Sequence, residues 1–421
     1  MHLKTSRDQV PNKVLVVCAF MAISLASPPA FAAIGTFLNG WGANNRALAG
    51  GGVAFAEDPM VIAVNPAGLL GLQKQTLNVG SSFLRSEQSF RAEDVDTSTA
   101  PPGAFAFAPG KRWAEHDVPA EVERVFPIPF AAANWRLNDS NAVGLAIYGN
   151  GGLNSNFKAF DNPNCPTGTP QQGYFCFGDV GSDIAQVFIS PTWAHEINDK
   201  LVLGVSPAII YQTIEVRGYK LFANRSSDPQ NISNNGHSSS WGYALKLGAT
   251  IEITDTVKFG ITGQTRGRMQ KHDEYAGLLP EQGSLDVAPY LQTGVSWQLS
   301  PRTSVMLDYQ RIYFSKINAL GNSGFSAGFY GDDNGPGFGW KNSRTWKLGL
   351  HHQVNDRLTL RLGAADNNDL VSNTEMVNNF VSAALFDEQF TIGTSWKTLA
   401  GNVLDFSFNY TTRQKLSGEN P

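Results

Sequence analysis

Short polar turns recur along the chain, and each one separates two segments in which apolar and polar residues alternate. Such alternation has the period of a β-strand with one apolar face. The strands are long, about ten or more residues, and the short turns alternate with long polar connections. This asymmetry is typical of a transmembrane β-barrel, whose turns are short on one side of the membrane and long on the other. The six short turns lie at residues 138–141, 198–200, 254–256, 300–302, 355–356 and 400–402.

The alternating segments predict thirteen strands, which is an odd count. Single-chain bacterial barrels have an even number of strands. We therefore expect the sequence to lack a final strand at its C-terminal end. The alternative is a further strand within residues 92–121, where residues 104–107 alternate briefly. The predicted strands are residues 74–91, 123–137, 142–158, 183–197, 201–219, 239–253, 257–273, 284–299, 303–317, 343–354, 357–368, 387–398 and 403–415.

Residues 1–32 have the features of a signal peptide. Lys4, Arg7 and Lys13 precede an apolar run, and Ala30 and Ala32 give the small-x-small form that signal peptidase requires. The chain is therefore expected to be exported.

The composition narrows the class of protein. Charged residues make up 16% of the chain, against about 25% in soluble domains. The net charge is −4, without the basic balance of a nucleic-acid-binding protein, so we exclude nucleic acid as a partner. No apolar run after the signal peptide reaches the about 18 residues of a membrane helix. A closed barrel is then the membrane option, and a large secreted β-protein is the alternative.

Four tryptophans stand at one depth relative to the short turns. Trp135, Trp193, Trp297 and Trp396 each lie a few residues before a turn. An aromatic belt at the membrane interface explains this placement, whereas packing in a soluble core is the alternative. The tryptophans therefore favour an all-β transmembrane antiparallel barrel.

Residues 39–72 form a segment rich in glycine, alanine and asparagine that contains Asn65, Pro66 and Ala67. The segment resembles the N-terminal hatch of the FadL-type channels for long-chain fatty acids and aromatic hydrocarbons. The resemblance implies a barrel of 14 strands whose lumen is plugged by the hatch, in the outer membrane of a Gram-negative bacterium. We expect a signal peptide at 1–32, a hatch at 33–73 with Asn65, Pro66 and Ala67 as its turn, and a barrel at 74–421.

Three glycines interrupt the third predicted strand. Gly149, Gly151 and Gly152 lie in its middle, where glycine permits a bulge or bend. In the family that it resembles, this strand bends inward and opens a gap in the wall. We therefore predict a lateral gate at these glycines. The alternative is that the glycines only leave room for a bulky neighbouring side chain.

Two cysteines follow the signal peptide, Cys165 and Cys176, both in the loop after the third strand. In an oxidising compartment such a pair is most simply a disulfide, and two free thiols are the alternative. The resemblance implies that the pair shapes an external ligand-capture surface.

A hydrophobic ligand needs an apolar slot and at most one cation. The hatch offers apolar side chains, and the loop after the third strand offers aromatic ones. The alternative for each aromatic residue is that it packs within the loops or faces the membrane without binding a ligand. Lys341 is the candidate partner for a carboxylate, with an ordinary solvated lysine as the alternative. The resemblance places Tyr211 or Gln212 where the family sometimes has an arginine. The candidate ligand residues are Phe55, Met60, Ile62, Leu69, Phe157, Phe160, Tyr174, Phe175 and Lys341.

The sequence contains no catalytic motif, and we predict neither an enzyme nor a cofactor or metal site. His351 and His352 are adjacent in a strand and point to opposite faces. The residues 331–335 lack the later glutamate of a calcium loop and are read as a turn.

We expect passive uptake of hydrophobic compounds with lateral release at the third strand. The alternatives are a scaffold that binds proteins in secretion or assembly, and a porin for polar solutes. The expected partners are a hydrophobic small molecule, outer-membrane lipid including lipopolysaccharide, and the barrel assembly machinery, with the protein as a monomer.

Overall fold

A computed structural model describes residues 33–72, 75–85, 89–90, 118–119, 125–162, 165–382 and 387–412. The predicted signal peptide and residues 104–107 lie outside this part of the chain. The strands are β1 (Ala33–Ile34), β2 (Phe37–Leu38), β3 (Leu77–Arg85), β4 (Ser89–Phe90), β5 (Val118–Pro119), β6 (Val125–Asn138), β7 (Asn141–Phe157), β8 (Val180–Asn198), β9 (Leu201–Arg217), β10 (Ser238–Thr254), β11 (Val257–Gln264), β12 (Arg268–Met269), β13 (Tyr290–Ser300), β14 (Thr303–Ile312), β15 (Thr345–Asn355), β16 (Leu358–Asn367), β17 (Glu388–Lys397) and β18 (Val403–Thr411).

Short helices occur in the N-terminal segment and in the long loops. The α-helices are α1 (Gly42–Ala47), α2 (Val61–Val64), α3 (Pro280–Gly283), α4 (Asn318–Gly321) and α5 (Met376–Asn379). The 3₁₀ helices are Pro66–Gly71, Tyr219–Arg225, Pro229–Asn231, Asp273–Tyr275, Phe314–Lys316, Asn373–Glu375 and Phe380–Ser382. No helix within the described ranges is both long and apolar enough to span a membrane.

The wall is one antiparallel sheet of fourteen strands. Thirteen of them form a meander from β3 to β18 in which each strand pairs with the next, and β12 pairs off this path with β10. The prediction of thirteen long strands is therefore confirmed. β11 ends at Gln264, and after a one-residue shift in register the chain pairs with β10 again at Arg268 and Met269, so most of the strand predicted for residues 257–273 follows the wall. β3 and β18 are the two ends of the path and do not pair with each other within the described residues.

The connections confirm the predicted asymmetry. The six short turns lie at one end of the barrel, and the described parts of the long loops, residues 158–162, 165–179, 218–237, 265–289, 313–344 and 368–382, lie at the other. Trp135, Trp193, Trp297 and Trp396 are between 44% and 54% exposed on the outer face. A second belt lies near the loop end, where the rings of Tyr211 and Trp241 and those of Tyr309 and Trp346 are 4.9 Å apart. Two such belts mark the two membrane interfaces.

Polarity is inverted relative to a soluble protein. Leucine, valine, isoleucine and phenylalanine side chains are exposed on the outer face, while Lys246, Asp308, Lys347 and Arg361 are buried inside. A membrane barrel has this arrangement, because lipid covers the outer face.

The described part of the hatch, residues 33–72, fills the lumen. The Asn65 side chain accepts a hydrogen bond from the Ala67 amide (3.1 Å) and donates to the Val53 carbonyl (2.7 Å) and to the Ala249 carbonyl of β10 (3.1 Å). A Cβ on Gly248 of β10 would lie 2.0 Å from the Asn65 Oδ1. A glycine in the wall thus lets the hatch turn lie directly against the sheet.

Charged side chains of the wall hold the hatch. Arg361 donates to both carboxylate oxygens of Glu57 at 2.8 and 2.6 Å, and the His351 Nε2 lies 3.1 Å from the same carboxylate. On the next strand, Asp308 accepts hydrogen bonds from the amides of Gly52 (2.7 Å) and Val53 (2.8 Å). Because these partners belong to different segments of the chain, their pairing fixes the depth of the hatch in the lumen.

Candidate ligand site and wall opening

The predicted gate glycines lie at a bulge in β7. β7 pairs with β8 along its whole length, but the register shifts between Gly149 and Gly151, so that Asn150 is the extra residue. A bulge exchanges the faces to which the following residues point. Tyr148 and Asn150 are buried before the shift, and Leu153 and Phe157 are buried after it.

The pairing of β7 with β6 ends at this bulge. The last pair is Phe130 with Tyr148, and residues 149–157 have no partner on β6 among the described residues. In the same part of the barrel, residues 125–129 of β6 pair with β3 alone. The wall therefore has an opening between β6 and β7 in its outer half.

Two prolines lie on the β6 side of this opening. Pro127 and Pro129 have no N–H to donate to a neighbouring strand, and proline is confined largely to sheet edges and bulges. The sequence around them is F-P-I-P-F. These prolines are a signal in the sequence for the free edge of β6, which is not among the predictions made from the sequence.

The three gate glycines have different neighbours. A Cβ on Gly149 would lie 2.5 Å from the Ile128 Cγ2, one on Gly151 would lie 2.1 Å from the Thr36 carbonyl oxygen of the hatch, and one on Gly152 would lie 2.0 Å from the Ile184 carbonyl oxygen of β8. Gly149 therefore receives the side chain of Ile128 at the edge of the opening. Gly151 instead lets the hatch approach the bent strand.

A buried lysine lies in the middle of the lumen. The Lys246 ammonium donates to the Ala63 carbonyl of the hatch (2.6 Å) and to the Tyr148 hydroxyl (3.1 Å). It also lies 5.6 Å from the ring centroids of Trp41 and Tyr148 and 5.9 Å from that of Tyr290. Cation–π attraction stabilises an ammonium in such a cage. Lys246 is not among the ligand residues predicted from the sequence, although a lysine at an inward position of an apolar strand is a signal for such a role.

Further hydrogen-bond donors of the cage are free. The Trp41 indole nitrogen and the Tyr290 hydroxyl are buried and have no hydrogen-bond partner within the part of the chain that the structure describes. Phe37 and Phe188 extend the apolar surface, with centroids 5.9 Å from Tyr290 and 5.7 Å from Tyr148. The cage thus combines aromatic surface with several donors, which suits an apolar molecule that carries one oxygen acceptor.

The predicted hatch residues lie inside the barrel, but they pack against its wall. Ile62 and Leu69 are fully buried, and their Cδ1 atoms would lie 2.7 and 3.2 Å from a Cβ on Gly144 of β7. Met60 is buried as well, and the ring of Phe55 lies 5.2 Å from that of His351. The packing of these four residues makes them anchors of the hatch.

The predicted loop residues form an aromatic cluster above β7. The ring of Tyr174 lies 6.1 Å from that of Phe157 and 5.1 Å from that of Phe160, and Phe175 lies 5.1 Å from Phe222 of the next loop. A disulfide joins Cys165 and Cys176 in the same loop. Lys341 is exposed, and its backbone amide donates to the Leu370 carbonyl, so it lies apart from the buried cage.

The loop between β16 and β17 covers the lumen from the outside. The Val381 carbonyl accepts hydrogen bonds from the hydroxyls of Ser155 (2.6 Å) and Ser182 (2.8 Å). The Trp340 indole, from the neighbouring loop, donates to Asn379 at 2.7 Å. These contacts tie two external loops to the bent strand and close the aromatic interior.

The chain matches a family model described as outer membrane protein transport protein (OMPP1/FadL/TodX) over residues 20–417. No protein of curated function matches the sequence. Among solved structures, a Pseudomonas aeruginosa FadL homologue is similar at 17% identity, with 90% of each chain covered and a TM-score of 0.65. The Pseudomonas putida toluene transporter TodX is similar at 14% identity, with 91% of this chain and 95% of that one covered and a TM-score of 0.61. The monoaromatic hydrocarbon channel CymD is similar at 14% identity, with coverage of 88% and 92% and a TM-score of 0.54. At these identities, the solved structures show a common fold.

Proposed function

The chain belongs to the OMPP1/FadL/TodX family of transport proteins of the Gram-negative outer membrane, and on this premise we propose that it is a passive channel for hydrophobic compounds. In this proposal the ligand enters among the external loops, passes the aromatic cage at Lys246, and leaves sideways through the opening between β6 and β7. Lateral exit suits an apolar cargo, because the cargo would gain nothing by entering water on the far side.

The observation that carries the proposal is the edge of β7 that faces β6 without pairing with it. In a lipid environment, an unpaired backbone group costs several kcal/mol, so a barrel wall is ordinarily paired throughout. Residues 149–157 have no partner on β6 within the described residues. A functional need for an exit explains why such a stretch is retained.

The cage supports a cargo with a single polar end. Lys246, Trp41 and Tyr290 offer donors to one acceptor, while Phe37 and Phe188 offer apolar contact. Each CH₂ that is buried contributes about 0.8 kcal/mol. We therefore propose long-chain fatty acids as the first ligand class, with small aromatic hydrocarbons as the second. We assign the predicted ligand residues to the capture surface among the external loops; they are Phe157, Phe160, Tyr174 and Phe175.

Uptake of labelled oleate and labelled toluene by cells with and without the gene tests the transport function. Faster uptake of either compound by cells that carry the gene is the expected result. If cells with and without the gene take up each compound at the same rate, the protein is not a channel for these compounds. That result would favour the alternative of a scaffold for protein partners. Assembly by the barrel assembly machinery stays a prediction.

A planar bilayer distinguishes the channel from a porin. The hatch lies in the lumen and is hydrogen-bonded to several strands of the wall, so we expect no steady ion conductance from the purified protein. Steady conductance would indicate a path for polar solutes and would contradict a plugged lumen.

A further inference from the structure

Two arginines stand side by side on the outer face of the barrel, near its loop end. Gln310 of β14 pairs with Thr345 of β15, and the Ser343 amide donates to the Ile312 carbonyl at 3.0 Å. The register between these two contacts places Arg311 opposite Arg344. Both side chains are exposed. Like charges directly opposite each other destabilise a sheet, so an anion bound between the two guanidinium groups would stabilise the pair.

The protein itself does not supply that anion. Neither arginine forms an ion pair within the described residues, and the guanidinium of Arg311 lies 5.2 Å from the ring of Tyr313. The neighbouring outward carboxylate on the ladder is Asp366, which stands opposite Trp346, diagonal to Arg344. Beyond it, Asp366 faces Glu388 of β17. The positive sector therefore ends at β16, where the outer face becomes acidic.

The height of the pair identifies the surroundings. Directly on the membrane side of the arginines, Tyr309 and Trp346 form part of the upper aromatic belt. Aromatic belts lie at the level of the lipid head groups. Arg268 is a third exposed cation near this belt, since its partner Tyr243 on β10 is 66% exposed on the outer face. An anion bound by the arginines would therefore lie at the level of the lipid head groups of the outer leaflet.

We propose that Arg311 and Arg344 clamp a phosphate group of a phosphorylated glycolipid of the outer leaflet, of the lipid A type. Two planar guanidinium groups can each pair with phosphate oxygens in a bidentate manner, which lysines cannot do. The acyl chains of the lipid would lie along the exposed apolar surface below the belt. This site is on the outside of the barrel and does not depend on the proposed transport function.

Binding of lipid A to the purified full-length protein, measured by native mass spectrometry, tests the clamp. We expect the Arg311→Gln/Arg344→Gln protein to bind bisphosphorylated lipid A about tenfold or more weakly than the unmodified protein, because two charge-assisted pairs are lost. The matched control is Arg302→Gln, an exposed arginine at the short-turn end of β14, which should bind normally. Equal binding by the double variant and the control would overturn the proposal.

Two further arms identify the ligand. Lipid A from which the phosphates have been removed should bind the unmodified protein as weakly as bisphosphorylated lipid A binds the double variant. Inorganic phosphate should fail to displace bound lipid A, and displacement at equal concentration would show that the free anion is sufficient. Arg311→Lys/Arg344→Lys keeps the charge but not the planar donors, so it should bind no more tightly than an intermediate between the glutamine variant and the unmodified protein, and binding equal to that of the unmodified protein would contradict bidentate pairing. Oleate uptake by the glutamine variant should equal that of the unmodified protein.

Discussion

At the scale of the residue, Lys246 connects the hatch, the wall and the proposed ligand. Its ammonium donates to the Ala63 carbonyl and lies among three aromatic rings. A neutral side chain of similar length would keep the packing and remove the donor. Lys246 is therefore the residue at which fatty acids and hydrocarbons should be distinguished.

We predict that Lys246→Met lowers oleate uptake about tenfold or more and lowers toluene uptake much less, since a hydrogen bond to a charged group contributes about 1.5–3 kcal/mol. Uptake of both labelled compounds is the measurement. Lys341→Met is the control, because Lys341 is exposed. Equal losses for the two compounds would mean that the lysine supports the hatch alone.

Asp58 gives the hatch a dependence on pH. Its carboxylate accepts hydrogen bonds from Asn44 (2.8 Å) and from the Met60 amide (2.7 Å). Burial raises the pKa of Asp58, the charge of Glu57 adds to this rise, and the two hydrogen bonds oppose it. The resulting pKa is about 6. The unfolded pKa is about 3.9. The folded hatch therefore binds the proton more tightly, and its stability falls as the pH rises through about 6.

We predict that the hatch gains about 1 kcal/mol of stability when the pH is lowered from about 7.5 to about 5. Hydrogen exchange of the peptide 50–60, corrected for intrinsic rates, measures this gain. Asp58→Asn should abolish it. Glu57→Gln should keep it, because burial raises the pKa of Glu57 but Arg361 and His351 lower it to about 2, so that Glu57 stays ionised throughout. A gain that persists in Asp58→Asn would assign the titration to another group.

The two lysines also show the limit of sequence analysis for single residues. The sequence predicts Lys341 as the partner of a carboxylate, yet Lys341 is exposed, whereas Lys246 is 2% exposed. Whether a strand residue points into the lumen follows from the register, but its burial depends on the hatch that covers it. The hydrogen bond from Lys246 to the Ala63 carbonyl of the hatch joins residues 183 positions apart, and no local sequence pattern predicts it.

At the scale of the element, the strands were largely predictable because each has one apolar face and ends at a polar turn. The bulge of β7 was predicted from its glycines. The unpaired edge of β6 was readable from Pro127 and Pro129, although we did not infer it. The partner of each glycine was not predictable, because the hatch, β6 and β8 approach β7 from different directions.

Gly149 is predicted to be required for the packing of β6 against β7. Gly149→Ala would place a Cβ 2.5 Å from the Ile128 Cγ2, and overpacking of this kind costs about 1–3 kcal/mol. Ile128→Ala removes the clashing atoms, so the double variant should be less destabilised than the sum of the two single variants. Urea unfolding of the four proteins measures this coupling. Additive effects would contradict the contact.

At the scale of the whole molecule, the outer-membrane barrel and its plug were foreseeable from the sequence. Alternation and aligned tryptophans indicated a barrel with apolar residues on its outer face, and the glycine-rich N-terminal segment indicated a hatch in its lumen. The structure confirms both features. The contact of the hatch with both ends of the meander was not predictable from the sequence. Helix α1 contacts both β3 and β18, the two ends of the meander, so the hatch bridges the wall there as well as filling the lumen.

In the proposed route, the cargo leaves through the wall between β6 and β7. A disulfide across the lower edge of the opening tests it, since the Cβ of Ile128 lies 3.9 Å from the position of a Cβ on Gly149, within the range of about 3.5–4.5 Å that a disulfide needs. The measurement is the oleate uptake rate of cells carrying Ile128→Cys/Gly149→Cys, before and after a reductant. The single variants and the unmodified protein are controls for reduction of Cys165–Cys176. We predict slow uptake when the pair is oxidised and recovery on reduction; equal rates in the two states, with the bond verified by mass spectrometry, would contradict lateral exit.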